Sequence, residues 1–484
     1  MSRLIVGPFN RVEGDLEVQL ELGEGAVKAA WVNAPMYRGF EQMLPGRDPL
    51  DALVIVPRLC GICSVSQSVA AARALAALSG AVPPPNGQIA HNLMLATENL
   101  ADHLTHFYLF FMPDFTRAVY ARQPWHAETL RRFEAHAGEH GRRAIAARQR
   151  WFTLLGTLGG KWPHTHALHP GGVTRPVDAS ERLRLLAKVR EFRQFLETTL
   201  FGAPLEEVAA LPGEAALRAW LEAGDRGDFG LFLRIAEALG LDTLGPGPGR
   251  FLSYGAFPQP DGLLTVPRGV WDAEARALLP LDLDAITEDA THAWLDDRGG
   301  ALHPRDGQTL PDADKAGAYT WNKAPRLAGQ VVECGAVARQ LAANQPLVVD
   351  AVRRCGGSVY TRVLARLMEL ARVVPLMEDW LRALRPGEAW HEPVQMPEGG
   401  VGVGLVEAAR GSLGHWLRVE RGRIARYQIV APTSWNFSPR DAAGTPGALE
   451  AALAGTPVRP GEATPVAVQH VVRSFDPCMV CTVH

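Results

Sequence analysis

The 484-residue chain is 47% hydrophobic and 21% charged, with a formal net charge of −3. That composition is globular, provides for a large core, and gives no electrostatic reason to expect nucleic acid or an anionic membrane as a partner. No apolar run is long enough for a membrane-spanning helix, and the first eight residues are too short an apolar stretch for a secretory signal.

Residues 16–22 alternate apolar and polar side chains, turn at Gly23-Glu24-Gly25 and resume over 27–32, which predicts a β-hairpin. Helical apolar spacing follows over Ser64–Ser79, 88–112, 143–158 and 179–201. Residues 347–384 continue it, with breaks expected at Gly356-Gly357 and at Pro375. A second hairpin is expected from 415–419 into 427–430, around Arg421-Gly422-Arg423. Residues 205–310 carry no motif with chemical meaning and read as a possible insertion region. The expected fold is mainly α with peripheral β-hairpins (α+β), a central bundle of long helices in one domain spanning 1–484.

The six cysteines are unevenly used. Cys60-Gly61-Ile62-Cys63 and Cys478-Met479-Val480-Cys481 are Cys-x-x-Cys pairs more than four hundred residues apart. Four thiolates brought together by folding make a soft-metal site, and both ends of the chain would then converge on it. The first pair precedes the Ser64 helix, where the helix dipole favours thiolate. A structural zinc site and a dithiol redox pair are the plainer alternatives, although zinc usually staples a small module and one redox pair does not explain two. Cys334 and Cys355 stand singly in apolar surroundings and read as core thiols. No four thiols then remain for an iron–sulfur cluster, so electrons leaving the site must enter another chain.

Arg58-Leu59-Cys60-Gly61-Ile62-Cys63 together with Asp476-Pro477-Cys478-Met479-Val480-Cys481-Thr482-Val483-His484 resembles the two signatures of [NiFe]-hydrogenase large subunits. Arg11-Val12-Glu13-Gly14, Arg38-Gly39-Phe40-Glu41, residues 102–108, 159–164, 410–416 and 431–436 are similar to further blocks of that family, so the likeness runs from end to end. It implies that all four cysteines bind nickel and that Cys63 and Cys481 also bridge to an iron carrying one CO and two cyanides. It implies that Cys478 takes the first proton from H2 and Glu13 the next. Arg410, with Asp102 and Asp476 around it, would face the open position of the bimetallic centre, and Thr433 and the backbone at Pro432 match the family's cyanide-donor positions. Glu41, the carbonyl of Ile429 and His484 would ligate Mg2+. His164 would face the proximal cluster of an iron–sulfur small subunit, the obligate partner, with a surface loop histidine as the alternative. His103 and His106, although spaced i, i+3, are expected to pack or hydrogen-bond.

Some positions depart from the family pattern. Gln67 and Asp15 stand where histidine is usual, Ala409 where proline is, and Ile62 and Phe110 where valine and leucine line the gas route. Larger side chains at a constriction admit H2 more readily than O2. The combination resembles the regulatory, H2-sensing branch: oxygen-tolerant, slow in turnover, cytoplasmic, signalling to a histidine kinase. That branch forms a heterodimer or a dimer of heterodimers and is made without a removable C-terminal extension. The alternative is an oxygen-tolerant, energy-conserving uptake enzyme, membrane-associated on the periplasmic side. Maturation proteins are implied in either case. A metal-free, quinone-site scaffold related to respiratory complex I is a third reading, which four retained cysteines oppose.

Overall fold

The computed structural model describes residues 2–482 and 484. At the start, β1 (Ser2–Val6), β2 (Glu17–Gly23) and β3 (Ala26–Asn33) form an antiparallel sheet in the order β1-β2-β3. The β2–β3 hairpin is the expected one, turning through Glu24 and Gly25 at φ 57° and 77°. β1 was not foreseen, because five residues offer too few alternations to read alone. It pairs Leu4 with Leu20 and Val6 with Val18.

Long helices follow, among them α1 (Ser64–Ser79), α2 (Pro85–Thr105), α3 (Glu139–Trp151), α4 (Ala179–Phe195) and α5 (Val359–Ala383). α1 has the expected bounds and stops at Gly80, whose φ of 71° suits a residue without Cβ. α2 starts at Pro85, where proline fits a first turn, and runs on into wider π-type turns over His106–Phe111. The expected helix over 143–158 divides into α3 and a short Thr153–Gly159 helix. Gly356-Gly357 does separate Pro346–Cys355 from α5, but Pro375 breaks nothing. Val374 and Met377 beside it are fully buried, and that packing outweighs one missing backbone hydrogen bond. α5 packs on α2, α4 and the helix Ala336–Ala342, while α2 also contacts α1 and α3.

The second hairpin gains a third strand, giving β4 (Gly400–Ala408), β5 (Gly411–Glu420) and β6 (Arg423–Val430) in that order. Glycines at 400, 402 and 404 dilute the strand signal of β4, and they are what lets it lie on α1. A Cβ at Gly404 would stand 1.9 Å from the Ala70 carbonyl oxygen, and one at Gly402 2.1 Å from that of Ala74. The sheet is therefore largely buried. Within 205–310 lie three helices, Leu205–Ala209, Glu214–Glu222 and Gly227–Leu239, followed by short strands, one of which (Arg250–Ser253) pairs in parallel with Glu333–Cys334. Phe229, Phe232 and Phe251 from this stretch join the same apolar core as α1, α2 and α5. A last helix, α6 (Val466–Ser474), returns the chain to that core, where Cys60, Cys63, Cys478 and Cys481 are themselves members.

Candidate metal centre

Three hydrogen-bonding devices frame the cysteine pairs, and one of them, Arg38, spans both. The segment containing Glu13 runs parallel to the C-terminal cysteine loop, with Glu13 N–H donating to the Pro477 carbonyl (3.3 Å) and Met479 N–H to the Glu13 carbonyl (2.7 Å). Gly14, at φ 79°, is needed there, since a Cβ would press within 3.0 Å of Val480. The Arg38 guanidinium donates to the carbonyls of Leu59 and Val480, one from each cysteine loop. Glu98, buried on α2, accepts from the backbone N–H groups of Val65 and Ser66 (both 2.8 Å), the Ser66 hydroxyl (2.9 Å) and the Trp162 indole (3.1 Å). The free N–H groups at the start of α1 are thus occupied by a carboxylate rather than by the preceding thiols, a departure from the expected dipole effect.

The four sulfurs lie within 4.8 Å of one another and are all buried. Neighbouring separations are 3.5 Å for Cys60–Cys478, 3.1 Å for Cys63–Cys481 and 3.0 Å for Cys478–Cys481. Hydrogen bonds from Cys478, Cys481 and Cys63 hold Cys60 well below the ordinary thiol range. Hydrogen bonding with Cys478 and Cys481 pushes Cys63 well above that range, burial does the same to Cys481, and burial also raises Cys478. One negative charge is accommodated and further ones are resisted, which is the condition a bound cation reverses.

Arg410 stands beside this cluster. Its side chain donates to the Asp102 carboxylate, to Asp476 Oδ1 (3.1 Å) and to the Asp476 carbonyl (3.0 Å). Burial opposes the charge on Arg410, but Asp102 and Asp476 outweigh it and keep the guanidinium protonated. Burial pushes Asp102 up to about 7 against the pull of Arg410, with Asp476 and Cys60 adding to the rise. Asp476 is held low by Arg410, His106 and Arg366 in spite of its burial. Glu13 is half-buried, and burial together with Cys60 raises its pKa. The Thr433 hydroxyl accepts from Cys478 N–H (3.2 Å), while the Pro432 carbonyl accepts from the Cys334 thiol (3.3 Å). Cys63, Cys481, Gln67, Arg410, Pro432 and Thr433 line one side of a small internal cavity against the sulfurs. The expected site residues from four separate parts of the chain therefore meet around one hollow.

A second polar corner holds Glu41, Ile429 and His484. His484 Nε2 lies 2.5 Å from the Ile429 carbonyl oxygen and 3.4 Å from Glu41 Oε1, which accepts from Ile429 N–H (2.7 Å). Lys323, not foreseen, sits among them with its ammonium 3.6 Å from Glu41 and 2.9 Å from Glu288. Lys323 and His484 draw Glu41 down to about 2 although burial opposes it.

His103 and His106 do hydrogen-bond as expected, to Glu369 (2.8 Å) and to the Arg473 carbonyl (2.7 Å). His164 rests on the first cysteine loop, its Nδ1 3.0 Å from the Pro57 carbonyl. Gln67 accepts from His415 Nε2 (2.9 Å), so a histidine from β5 reaches that place from across the fold. Cys334 is buried and Cys355 half-buried, each bonding a backbone carbonyl, and Ile62 and Phe110 are both half-buried. Arg38, Glu98 and Lys323 escaped sequence reasoning as site-builders. Only Arg38 carried a signal, its place in the block ending at Glu41.

The profile of the family described as nickel-dependent hydrogenase matches residues 38–131 and 233–484. The whole chain aligns with the periplasmic [NiFeSe] hydrogenase large subunit of Desulfomicrobium baculatum at 29% identity over 95% of that protein. It also aligns in full with the hydrogenase-2 large chain of Escherichia coli K12 and the uptake hydrogenase large subunit of Rubrivivax gelatinosus, each at 27% identity and over 97% and 95% of their lengths. Solved structures of the [NiFeSe] hydrogenases of D. baculatum and of D. vulgaris Hildenborough superpose with TM-scores of 0.86, at 28% identity and with complete coverage of both chains.

Proposed function

Because the chain belongs to the nickel-dependent hydrogenase family, we propose that its four central cysteines hold a nickel–iron centre at which H2 is split heterolytically. The observation carrying this reading is the gathering of four buried sulfurs within 4.8 Å from the two ends of the chain. Cys60, Cys63, Cys478 and Cys481 would all ligate nickel, with Cys63 and Cys481 shared with iron. Both of the latter border the hollow that would take CO and cyanide ligands, beside Pro432 and Thr433. When bound, the centre supplies a Lewis acid for H2 and a redox partner for its electrons.

The chain supplies the proton chemistry. Cys478 receives the first proton at its sulfur, and Glu13, whose backbone is paired with Cys478, carries it on. Its raised pKa suits a group that must both take and release a proton. Arg410, fixed by two carboxylates, presents a permanent positive charge at the hollow. Asp102 and Asp476 orient it. Glu41, the Ile429 carbonyl and His484 would hold Mg2+: two oxygen donors and an imidazole nitrogen converge there, with His484 Nε2 2.5 Å from the Ile429 carbonyl and 3.4 Å from Glu41. The electrons pass to an iron–sulfur small subunit, near His164. One folding domain over 1–484, with 205–310 as part of its wall, accords with the shared core.

The matured protein, purified with its small subunit, is expected to contain nickel and iron and to show infrared bands from the diatomic ligands. Zinc, or a silent spectrum, overturns the reading.

An energy-conserving uptake role has the support of the named relatives. An H2-sensing role with low turnover and a histidine kinase partner rests on Ile62, Phe110 and the Gln67–His415 pair. Ile62→Val with Phe110→Leu tests the narrow gas route on which the sensing reading leans: activity with an artificial acceptor should become oxygen-sensitive. Unchanged inhibition by air removes the narrow-route argument. Among the described residues no helix is long and apolar enough to cross a membrane.

A further inference from the structure

The turn that presents Arg410 is gripped from inside the protein by a second guanidinium. Arg339, on the helix Ala336–Ala342, is fully buried. Its five N–H donors meet five acceptors. Two are the carbonyls of Ala408 (2.7 Å) and Ala409 (3.0 Å), the residues immediately before Arg410. The others are both oxygens of Glu369 (2.7 and 2.6 Å) and one of Glu407 (3.0 Å). Glu407 also accepts from the Ser412 hydroxyl (2.6 Å), on the far side of the same turn. Below it, a Cβ on Gly411 would stand 2.5 Å from Gly335 N and 2.7 Å from Cys334 Sγ, so the backbone has no room to shift that way.

The grip is tied to the other hold on Arg410. Glu369 binds His103 Nε2 (2.8 Å), and His103 adjoins Asp102, whose carboxylate receives the Arg410 side chain. Consecutive residues of α2 thus reach the side chain of Arg410 and the backbone that carries it. A cation needed only to neutralise Glu369 and Glu407 would not spend two donors on adjacent carbonyls of a turn. A buried guanidinium with all five donors paired in this way fixes one geometry for the turn it holds.

We infer that Arg339 is a positioning residue for H2 cleavage, acting through Arg410. The inference rests on the reading of Arg410 given above. In the matured heterodimer, Arg339→Lys keeps the charge but cannot span both carbonyls and both carboxylates. It is expected to lower kcat for H2 oxidation about tenfold or more, as a small misplacement of a reacting group does. KM for H2, metal content and the infrared bands should not move. In an Arg410→Lys background the same substitution should cost less than about twofold, because coupled residues are not additive. Equal losses in both backgrounds, or full activity of Arg339→Lys alone, overturn the proposal. Should Arg339→Lys fail to take up metal, Glu369→Gln, which leaves Arg339 in place with a weakened anchor, decides by the same two comparisons. An Arg410→Lys enzyme with undiminished turnover would fail the reading of Arg410 itself, a result recognisable without Arg339.

Discussion

The cysteine cluster and the Glu41–His484 corner are both buried and both built by the C-terminal segment against distant parts of the chain, yet they balance charge in different ways. Around the sulfurs, the adjacent cation is Arg410, already committed to Asp102 and Asp476. The thiols therefore resist losing more than one proton until a metal arrives. In the other corner Lys323 brings a fixed positive charge between Glu41 and Glu288. That corner is held by the chain itself, and a cation there adds to a counter-ion already in place. The same fold thus contains one site whose neighbouring guanidinium is already engaged by two carboxylates and one with an internal counter-ion between two carboxylates.

The largest test of this contrast is Cys481→Ser. It is expected to abolish nickel binding and reduce H2 oxidation to background, because removing one soft donor from four breaks the set. A full complement of nickel measured in that variant would dissolve the contrast. Next comes Lys323→Met, which leaves Glu41 and Glu288 buried without their cation and should cost about 3–5 kcal/mol in thermal or denaturant unfolding. Added Mg2+ should recover part of that loss, and a chelator should remove the recovery. A variant as stable as the parent in chelator would show that Lys323 is not the balancing charge.

A smaller effect is expected at the support of the first cysteine pair. Glu98→Ala leaves the N–H groups of Val65 and Ser66 unpaired in the interior, at a cost of about 1–3 kcal/mol. Nickel should also leave this variant faster in a chelator challenge. Unfolding curves that superpose on the parent's would remove Glu98 from the site's framework. The smallest concerns pH. Burial holds His415 down to about 3, so it is neutral when folded, and it lies between Gln67 and Tyr427. The unfolded chain takes up that proton near pH 6.5, so stability falls as pH drops from about 6.5 towards 3, by at most about 1.4 kcal/mol per unit for this residue. His415→Gln should flatten that part of the stability–pH curve, and an unchanged slope would mean that other histidines carry it.

Much of this was legible beforehand, for identifiable reasons. α1 could be read residue for residue because its apolar spacing is regular and a glycine ends it. β4 could not, since alternating glycines erase the pattern that marks a strand while permitting its approach to α1. Pro375 misled because local propensity argued for a break and burial of its neighbours overrode it. In the site, the ligating types stood out by chemistry and spacing. Their supports did not: Glu98, Lys323 and Arg339 are single charged residues with nothing around them in the chain to announce burial.

By itself the sequence singled out the groups proposed to do the chemistry, since two cysteine pairs, an arginine flanked by small residues and a histidine close behind the second pair are distinctive in type and order. Only the tertiary structure decided what holds them. Charge pairing in a protein interior is set by distance in space, and the partners of Arg410, Arg339 and Lys323 lie from 30 to 308 residues away along the chain. No local pattern can encode a bond whose other half lies tens to hundreds of residues away.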